Sequence, residues 1–530
     1  MTKRSLLPMV AALLVVGPPA ASAQPDASSL APPPSFTDPD RVAKLSQAFP
    51  AIDRLMRDFA QRSRVPGIAY GIVIDGQLAH RGTAGFRELG SRAPVDSASV
   101  FRIASMSKSF TALAILQLRD EGKLGLDDPA ERYVPELATL RYPTTDSPKI
   151  TIRHLLSHSE GFPEDNPWGD QQLAISDEEM NRLMRSGIPF STAPGTAYEY
   201  SNYGYAILGR IVANVSGMPF ARYLDQRILA PLGMTVTTME ARTVAASRLA
   251  HGYRWQDTTW LEEAQLSDGA FGPMGGMLTS IDDLSRWVGF MLDAWPPRDG
   301  VERGPVRRAS VREMQQVARY NGASAVRDPA TGAVTLSAGG YGYGLGVRQT
   351  CQVPSNVSHS GGLPGFGSIM QWLPDYGVGI VTLGNLTYTG WRGPVEQAFE
   401  LLGKTGGLVR RVPQPAPVLV QAREQVTRLV QRWSEPLADS IAAMNLYLDE
   451  PKPRRRAAIE RVRAEVGGSC RPEGPFEVEN ALRGRWRLRC ATGDLRVSIT
   501  LAPTEPAKVQ HLDVRTMARD ESLAAPPACR

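Results

Sequence analysis

Ser105 and Lys108 stand three residues apart in FRIASMSKSFTALAILQL, residues 101–118, and head a run that is almost wholly apolar from Phe110 to Leu118. On a helix that spacing puts the hydroxyl and the amine on one face, with Ser105 in the first turn. A serine becomes an effective nucleophile when a base within hydrogen-bond reach takes its proton, and a lysine is such a base only when neutral. Burial supplies that condition, because desolvation penalises the charged form and lowers the pKa. A second polar group is YEYSN at 198–202. Its Tyr200 is a phenol able to return a proton to a leaving group, and its Asn202 an amide able to hydrogen-bond a substrate carbonyl or the lysine. The third group is His359, Ser360 and Gly361.

Each group also has a plain structural reading: Ser105 as a helix N-cap beside a solvated Lys108, Tyr200 as a core aromatic, Asn202 as a cap, His359 as a strand residue. An S-x-x-K pair alone arises about once by chance in a chain of this length. His154 and His158 in TIRHLLSHSEG, residues 151–161, have the helical spacing of two metal ligands. No Glu follows the first and no third ligand stands nearby, so both are read as structural, and no metal or other cofactor is expected.

Several elements must position these groups. The 101–118 helix is expected to be surrounded by protein on most sides. Before it come a helix at 40–62 and two strand-like runs, 67–74 and 78–84, joined by Asp75 and Gly76, a pair suited to a two-residue hairpin turn. Residues 126–238 read as a helical subdomain interrupted by prolines, with an apolar helix at 203–216 ended by Gly217 and Pro219. Strand signals return at 340–347, 357–360, 368–373 and 377–383. This order predicts an α+β fold: an antiparallel sheet flanked by helices, with a helical subdomain beside it. Loops at 160–169 and 298–339 are left to form pocket walls.

A length of 530 residues exceeds one core of usual size. Lys3 and Arg4, an apolar run at 6–16 and Ala21, Ser22, Ala23 have the pattern of a signal peptide over residues 1–23, too short to span a membrane. The expected plan is that leader, a flexible Pro-rich segment at 24–40, a large catalytic domain at 41–405, a linker at 406–417 and a small C-terminal α+β domain at 418–530. A periplasmic or secreted location follows, with no integral membrane segment after cleavage. In the C-terminal part, helices at 418–443 and 454–466 precede a stretch in which Arg483, Arg485, Arg487 and Arg489 alternate with Leu482, Gly484, Trp486, Leu488 and Cys490. Such a strand has one basic and one mostly apolar face. Cys470 and Cys490 lie symmetrically about Asn480, so a hairpin centred there would bring them opposite, in the oxidising compartment that export implies. The pairing of Cys351 and Cys529 is left open. The formal net charge is +5, and from Gly407 onward 21 Lys and Arg face 15 Asp and Glu. The catalytic part is thus close to neutral, which excludes a nucleic-acid binder, while the basic end suits anionic cell-surface material.

With three groups in this order at domain-scale spacings, the chain resembles the serine beta-lactamase and penicillin-binding protein family, in the class C beta-lactamase-related branch that also holds carboxylesterases, D-aminopeptidases and DD-carboxypeptidases. Ser105 to Lys108 matches S-x-x-K, Tyr200 to Asn202 matches Y-x-N, and His359 to Gly361 stands where the family has K-T-G or H-x-G. HLLSHSEG, the run 200–209, PLGM at 231–234, GGMLTSIDDL at 275–284 and GGLPGF at 361–366 extend the similarity over residues 43–402, leaving the C-terminal part uncovered. The resemblance implies a beta-lactamase/transpeptidase-like fold in which Ser105 is acylated and Lys108 and Tyr200 share the base and acid roles. It further implies that Asn202, His359 and Gly361 bind substrate and that the backbone N–H groups of Ser105 and Gly362 form the oxyanion hole. The implied partner is a small ester, amide or beta-lactam, peptidoglycan-derived compounds included. His359, where many penicillin-active relatives carry Lys, is mostly neutral above about pH 6.5 yet still a hydrogen-bond donor. That moves the expectation from beta-lactams toward esters and D-amino-acid-containing peptides.

Overall fold

The computed structural model describes residues 31–327, 332 and 334–523; the leader at 1–23 and Cys529 lie outside them. Two compact units divide at Pro413. Among the described residues no helix is long and apolar enough to cross a membrane.

The unit Pro33–Val412 is built on a nine-stranded antiparallel sheet. Its strands are β1 (Gly67–Ile74), β2 (Gln77–Glu88), β3 (Ala93–Pro94), β4 (Arg319–Arg327), β5 (Val334–Tyr341), β6 (Gly346–Thr350), β7 (Asn356–Leu363), β8 (Phe366–Leu373) and β9 (Val378–Gly384), in the spatial order 3-2-1-9-8-7-6-5-4. Central strands β1, β8 and β9 are buried along their whole length, which is why they read as continuous apolar runs instead of alternating ones. Asp75 and Gly76 both take positive φ, 50° and 80°, closing the two-residue turn between the paired Ile74 and Gln77.

Successive side chains of the sheet enter two different cores. Ile68, Tyr70, Ile72 and Ile74 of β1 join Ile52 and Met56 of helix α1 (Phe49–Arg62). Ala69 and Val73 face the opposite cluster, which holds α2 (Ser107–Asp120), α3 (Asn202–Ser216) and α4 (Ile281–Asp293). Within α2 every side chain from Ser107 to Leu118 is buried, and Phe110 stacks on Trp287 of α4 with ring centroids 3.7 Å apart. The second core is closed by α5 (Arg392–Lys404) through Val395, Ala398 and Leu402.

Some boundaries differ from the sequence expectation. The 40–62 helix is two, Arg41–Ser46 and α1, because Pro50 lacks a backbone donor and sits in a first turn. The 340–347 run splits between β5 and β6 around Gly344, which has φ 70°. The 298–339 loop contains β4 and most of β5; β4 is solvated along almost its whole length, so its sequence carries no alternation. Ser35, within the 24–40 segment expected to be flexible, exchanges backbone hydrogen bonds of 3.1 and 2.7 Å with Val412.

The unit from Pro413 onward has its own core. It comprises α6 (Pro417–Gln431), α7 (Lys452–Glu465) and an antiparallel meander of β10 (Arg471–Asn480), β11 (Arg483–Arg489), β12 (Asp494–Leu501) and β13 (Val509–Met517). The helix expected at 418–443 stops at Gln431, and Glu435–Ile441 is a separate helix with Pro436 in its first turn. On β11, Gly484, Trp486 and Leu488 are buried while the intervening arginines are not. Cys470 and Cys490 are joined by a disulfide across the β10–β11 hairpin.

Candidate active site

Ser105 lies in a 3-10 turn, Ala104–Met106, that precedes α2, one step outside the α-helical turn that its spacing suggests. Ala104 takes φ 48°, a left-handed conformation that costs an L-residue roughly 1–2 kcal/mol. The turn is held from several sides. Ser107 Oγ donates to Ala104 O (2.7 Å) and accepts from Met277 N–H (3.2 Å), while Ser368 Oγ donates to Ile103 O (3.0 Å). Gly361 of β7 explains the closeness of sheet and turn: a Cβ there would come within 2.0 Å of Ile103 O.

Lys108 is fully buried, and its Nζ lies 3.0 Å from Ser105 Oγ, 2.6 Å from Asn202 Oδ1 and 2.8 Å from Met274 O. A neutral amine has two N–H donors and one lone pair. The two carbonyl-type oxygens can only accept, so they take the two N–H groups and leave the lone pair toward the serine hydroxyl. Burial pulls the Lys108 pKa down to about 7 against the opposing pull of the Asp170 and Asp165 carboxylates. Near neutrality a large share of the molecules therefore carries a free base.

Asn202 opens α3 and is oriented from behind: its Nδ2 donates to Asn166 Oδ1 (2.9 Å), and its backbone N–H donates to Asp165 (2.7 Å). Tyr200 is packed with its ring 4.8 Å from Lys108 Nζ; burial holds its phenol well above the ordinary pKa, with the Ser105 hydroxyl pulling the other way. His158 lies against the Tyr200 ring (centroids 4.3 Å apart) and accepts a hydrogen bond from Ser201 N–H (3.1 Å), so it braces this segment. His154 belongs instead to the capping box of the short helix Ile152–Leu156, which ends before His158. The two histidines thus share no helical face. No group of three or more His, Cys, Asp or Glu among the described residues could hold a metal ion.

His359 differs from expectation in its hydrogen bonding. Its Nδ1 is 2.6 Å from Ser360 O, which can only accept, so Nδ1 bears the proton; Nε2, 2.9 Å from Tyr341 Oη, then accepts the phenolic proton. Burial, reinforced by Lys108, lowers its pKa to about 3. The ring is neutral and has no N–H left for a substrate.

Ser105, Tyr200, His359, Gly361 and Gly362 line one cleft of about 680 Å³, with Lys108 and Asn202 fully buried behind its wall. The same cleft is also lined by residues that no motif announces, Asn166, Asp170, Tyr388 and Arg392 among them. Tyr388 donates to Asp170 Oδ2 at 2.8 Å, and burial raises the Asp170 pKa while Tyr388 and Lys108 oppose that shift. The cleft thus holds a carboxylate inside and one permanently charged cation, Arg392, exposed at the start of α5.

Residues 52–403 match the family model described as Beta-lactamase. Protein flp of Staphylococcus aureus (strain COL) is 29% identical over 340 residues, which are 63% of this chain and 62% of that protein, so the chain spans less than two thirds of its length. Penicillin-binding protein 4* of Bacillus subtilis (strain 168) is 27% identical over 327 residues, 58% of this chain and 66% of that protein. Among solved structures, the octameric penicillin-binding protein homologue from Pyrococcus abyssi shares the fold, with a TM-score of 0.53 and 21% identity over 88% of this chain and 95% of that one. A family match over most of the chain, on the fold that carries the buried lysine and its serine, means that this protein belongs to the Beta-lactamase family.

Proposed function

We propose that this chain is an exported serine hydrolase that forms an acyl-enzyme through Ser105 and acts on esters or D-amino-acid-containing peptides. The observation that carries the reading is the three-way setting of Lys108, with two acceptors fixing its N–H groups and the serine hydroxyl left as partner of its lone pair. In the proposed cycle Lys108 takes the Ser105 proton as Oγ attacks the carbonyl carbon, and Tyr200 gives its phenolic proton to the departing oxygen or nitrogen and recovers one from the protonated Lys108, which leaves both groups as they began. Water then attacks the acyl carbon and releases the acid, restoring the serine hydroxyl. The developing oxyanion would be held by the N–H groups of Ser105 and Gly362. Export rests on the leader pattern at 1–23.

Charge inside the cleft favours this substrate class over beta-lactams. A penicillin carries a carboxylate, whereas His359 is neutral with its N–H engaged and Asp170 adds negative charge. A class C-like beta-lactamase or DD-peptidase is the second reading, and Arg392 at the cleft favours it as an anchor for a carboxylate. A non-catalytic wall-binding role would leave the Lys108 arrangement without a purpose. Parent and Ser105→Ala proteins compared on a chromogenic short-chain ester, a D-alanyl anilide and a chromogenic cephalosporin test all three. Turnover of the first two, lost at least about 1,000-fold in the variant, together with fluorophosphonate labelling of Ser105, is the expected result. An unchanged rate in Ser105→Ala would overturn the proposal, and cephalosporin as best substrate would select the second reading.

A further inference from the structure

The outer face of the meander in the unit from Pro413 onward arranges its cations in a way that a merely solvated face does not need. Register places Arg487 of β11, Arg496 of β12 and Arg515 of β13 side by side in one row across three strands. Like charges directly opposite each other on a sheet repel. The outer two have relief: Arg487 donates to Asp494 (2.8 Å) and to Arg519 O (2.7 Å), and Arg515 has Asp513 at 3.9 Å. Arg496, in the middle, has no ion pair or hydrogen bond among the described residues, and its Nε is buried without a partner. Arg485, one row away on β11, stands between Glu477 of β10 and Ser498 of β12 yet forms no ion pair among the described residues, and Ser498, with Asp513 opposite it on β13, has a buried hydroxyl without a partner. Burial and the neighbouring Arg515 and Arg485 disfavour the Arg496 charge and outweigh the opposing pull of the Asp513 and Glu521 carboxylates.

Arg485, Arg496 and Ser498 share a cavity of about 590 Å³, whose lining also includes Arg483, Thr500 and Gln510. Two carboxylates, Glu479 and Asp449, also border it, and Glu479 stands 3.8 Å from Arg483. The other face of the sheet, with Trp486, Leu488, Val497 and Ile499, belongs to the core. On the open side the buried groups without a partner are Arg496 Nε and the Ser498 hydroxyl, beside the cavity, whereas the core face holds one such donor, Trp486 Nε1, enclosed among apolar side chains. We infer that this cavity is a binding site for a phosphate-class oxyanion, held by the guanidinium forks of Arg485 and Arg496 with the Ser498 hydroxyl. Guanidinium forks match tetrahedral oxyanions geometrically, and an anion with three or more acceptor oxygens can engage both forks and the hydroxyl at once. The anion supplies the partner that Arg496 lacks. A free phosphate and a phosphate group on a surface polymer offer the same chemistry.

Calorimetric titration of the full chain with inorganic phosphate, and separately with a long polyphosphate, at fixed low ionic strength tests the site. Arg496→Gln and Arg485→Gln are compared with Arg461→Gln, which removes an equal charge from an exposed position on α7. Saturable phosphate binding weakened at least about tenfold by either site variant, and less than about twofold by Arg461→Gln, is expected. Thermal melts guard against misfolding: without phosphate Arg496→Gln should melt no lower than the parent, since it relieves like-charge crowding, and added phosphate should raise the melting temperature of the parent alone. Polyphosphate binding far tighter than phosphate, and equally sensitive to Arg496→Gln, would identify a polymer as the source. Equal binding by all proteins, or none that saturates, overturns the inference, as does an Arg496→Gln protein that melts below the parent and gains the same phosphate stabilisation.

Discussion

At the scale of single residues, the chemistry turns on how protons are shared behind the cleft wall. Lys108, with a pKa of about 7, should impose a single rising limb on kcat/KM, falling about tenfold per pH unit below neutrality and flat above it. No descending limb is expected up to pH 9, because burial keeps the Tyr200 phenol protonated and His359 is neutral throughout. A pH-rate profile from 5 to 9 on a neutral ester measures this. The same shift bears on folding: the amine binds its proton less tightly folded than unfolded, so its contribution to stability rises with pH from about 7 to 10.5 and is flat below. Denaturant melts of parent and Lys108→Met at pH 6 and 9 should show the parent gaining on the variant. Much of this was legible in the sequence, since spacings of three and two tied Ser105 to Lys108 and Tyr200 to Asn202. The donor state of His359 was not, because Tyr341, 18 residues earlier on a different strand, sets its tautomer. Nor was the Asp170–Tyr388 pair, whose members are 218 residues apart and belong to no motif.

At the scale of elements, the site depends on β7 lying hard against the turn that carries Ser105. Gly361→Ala would bring a methyl to within 2.0 Å of Ile103 O, backbone that cannot swing aside like a flexible side chain. Overpacking of this kind costs about 1–3 kcal/mol. In the proposed cycle a displacement near 1 Å at Ser105 would lower kcat/KM by about 100-fold. Ester kinetics beside a denaturation curve check the two together: lost activity in a protein that still unfolds cooperatively is expected, and parent-like kinetics would disprove the role of this contact. Sequence patterns found the buried strands and α2 because continuous apolar runs announce burial on both faces. They failed at β4, where solvent on both sides removes any reason for periodicity, and at the 40–62 helix, where a single proline outweighed a continuous helical pattern.

At the scale of the whole molecule, two units each bury cores of their own, and the smaller unit carries a covalent tie. The Cys470–Cys490 bridge closes a loop over a separation of 20 residues, worth about 3 kcal/mol in chain entropy. Cys470→Ser with Cys490→Ser should therefore lower the melting transition of the unit from Pro413 onward, followed by its buried Trp486; an unchanged transition would mean that the strands alone fix the hairpin. The close approach at Gly361 also has a meaning in evolutionary time. Neighbouring Ser360 is exposed and free to drift, while Gly361 admits no side chain at all. Saturation mutagenesis of the pair should thus return a broad spectrum of survivors at one position and a single letter at the next. Substrate preference in this lineage can wander through Ser360 and the loops around the cleft, but every path through sequence space must pass through the same glycine.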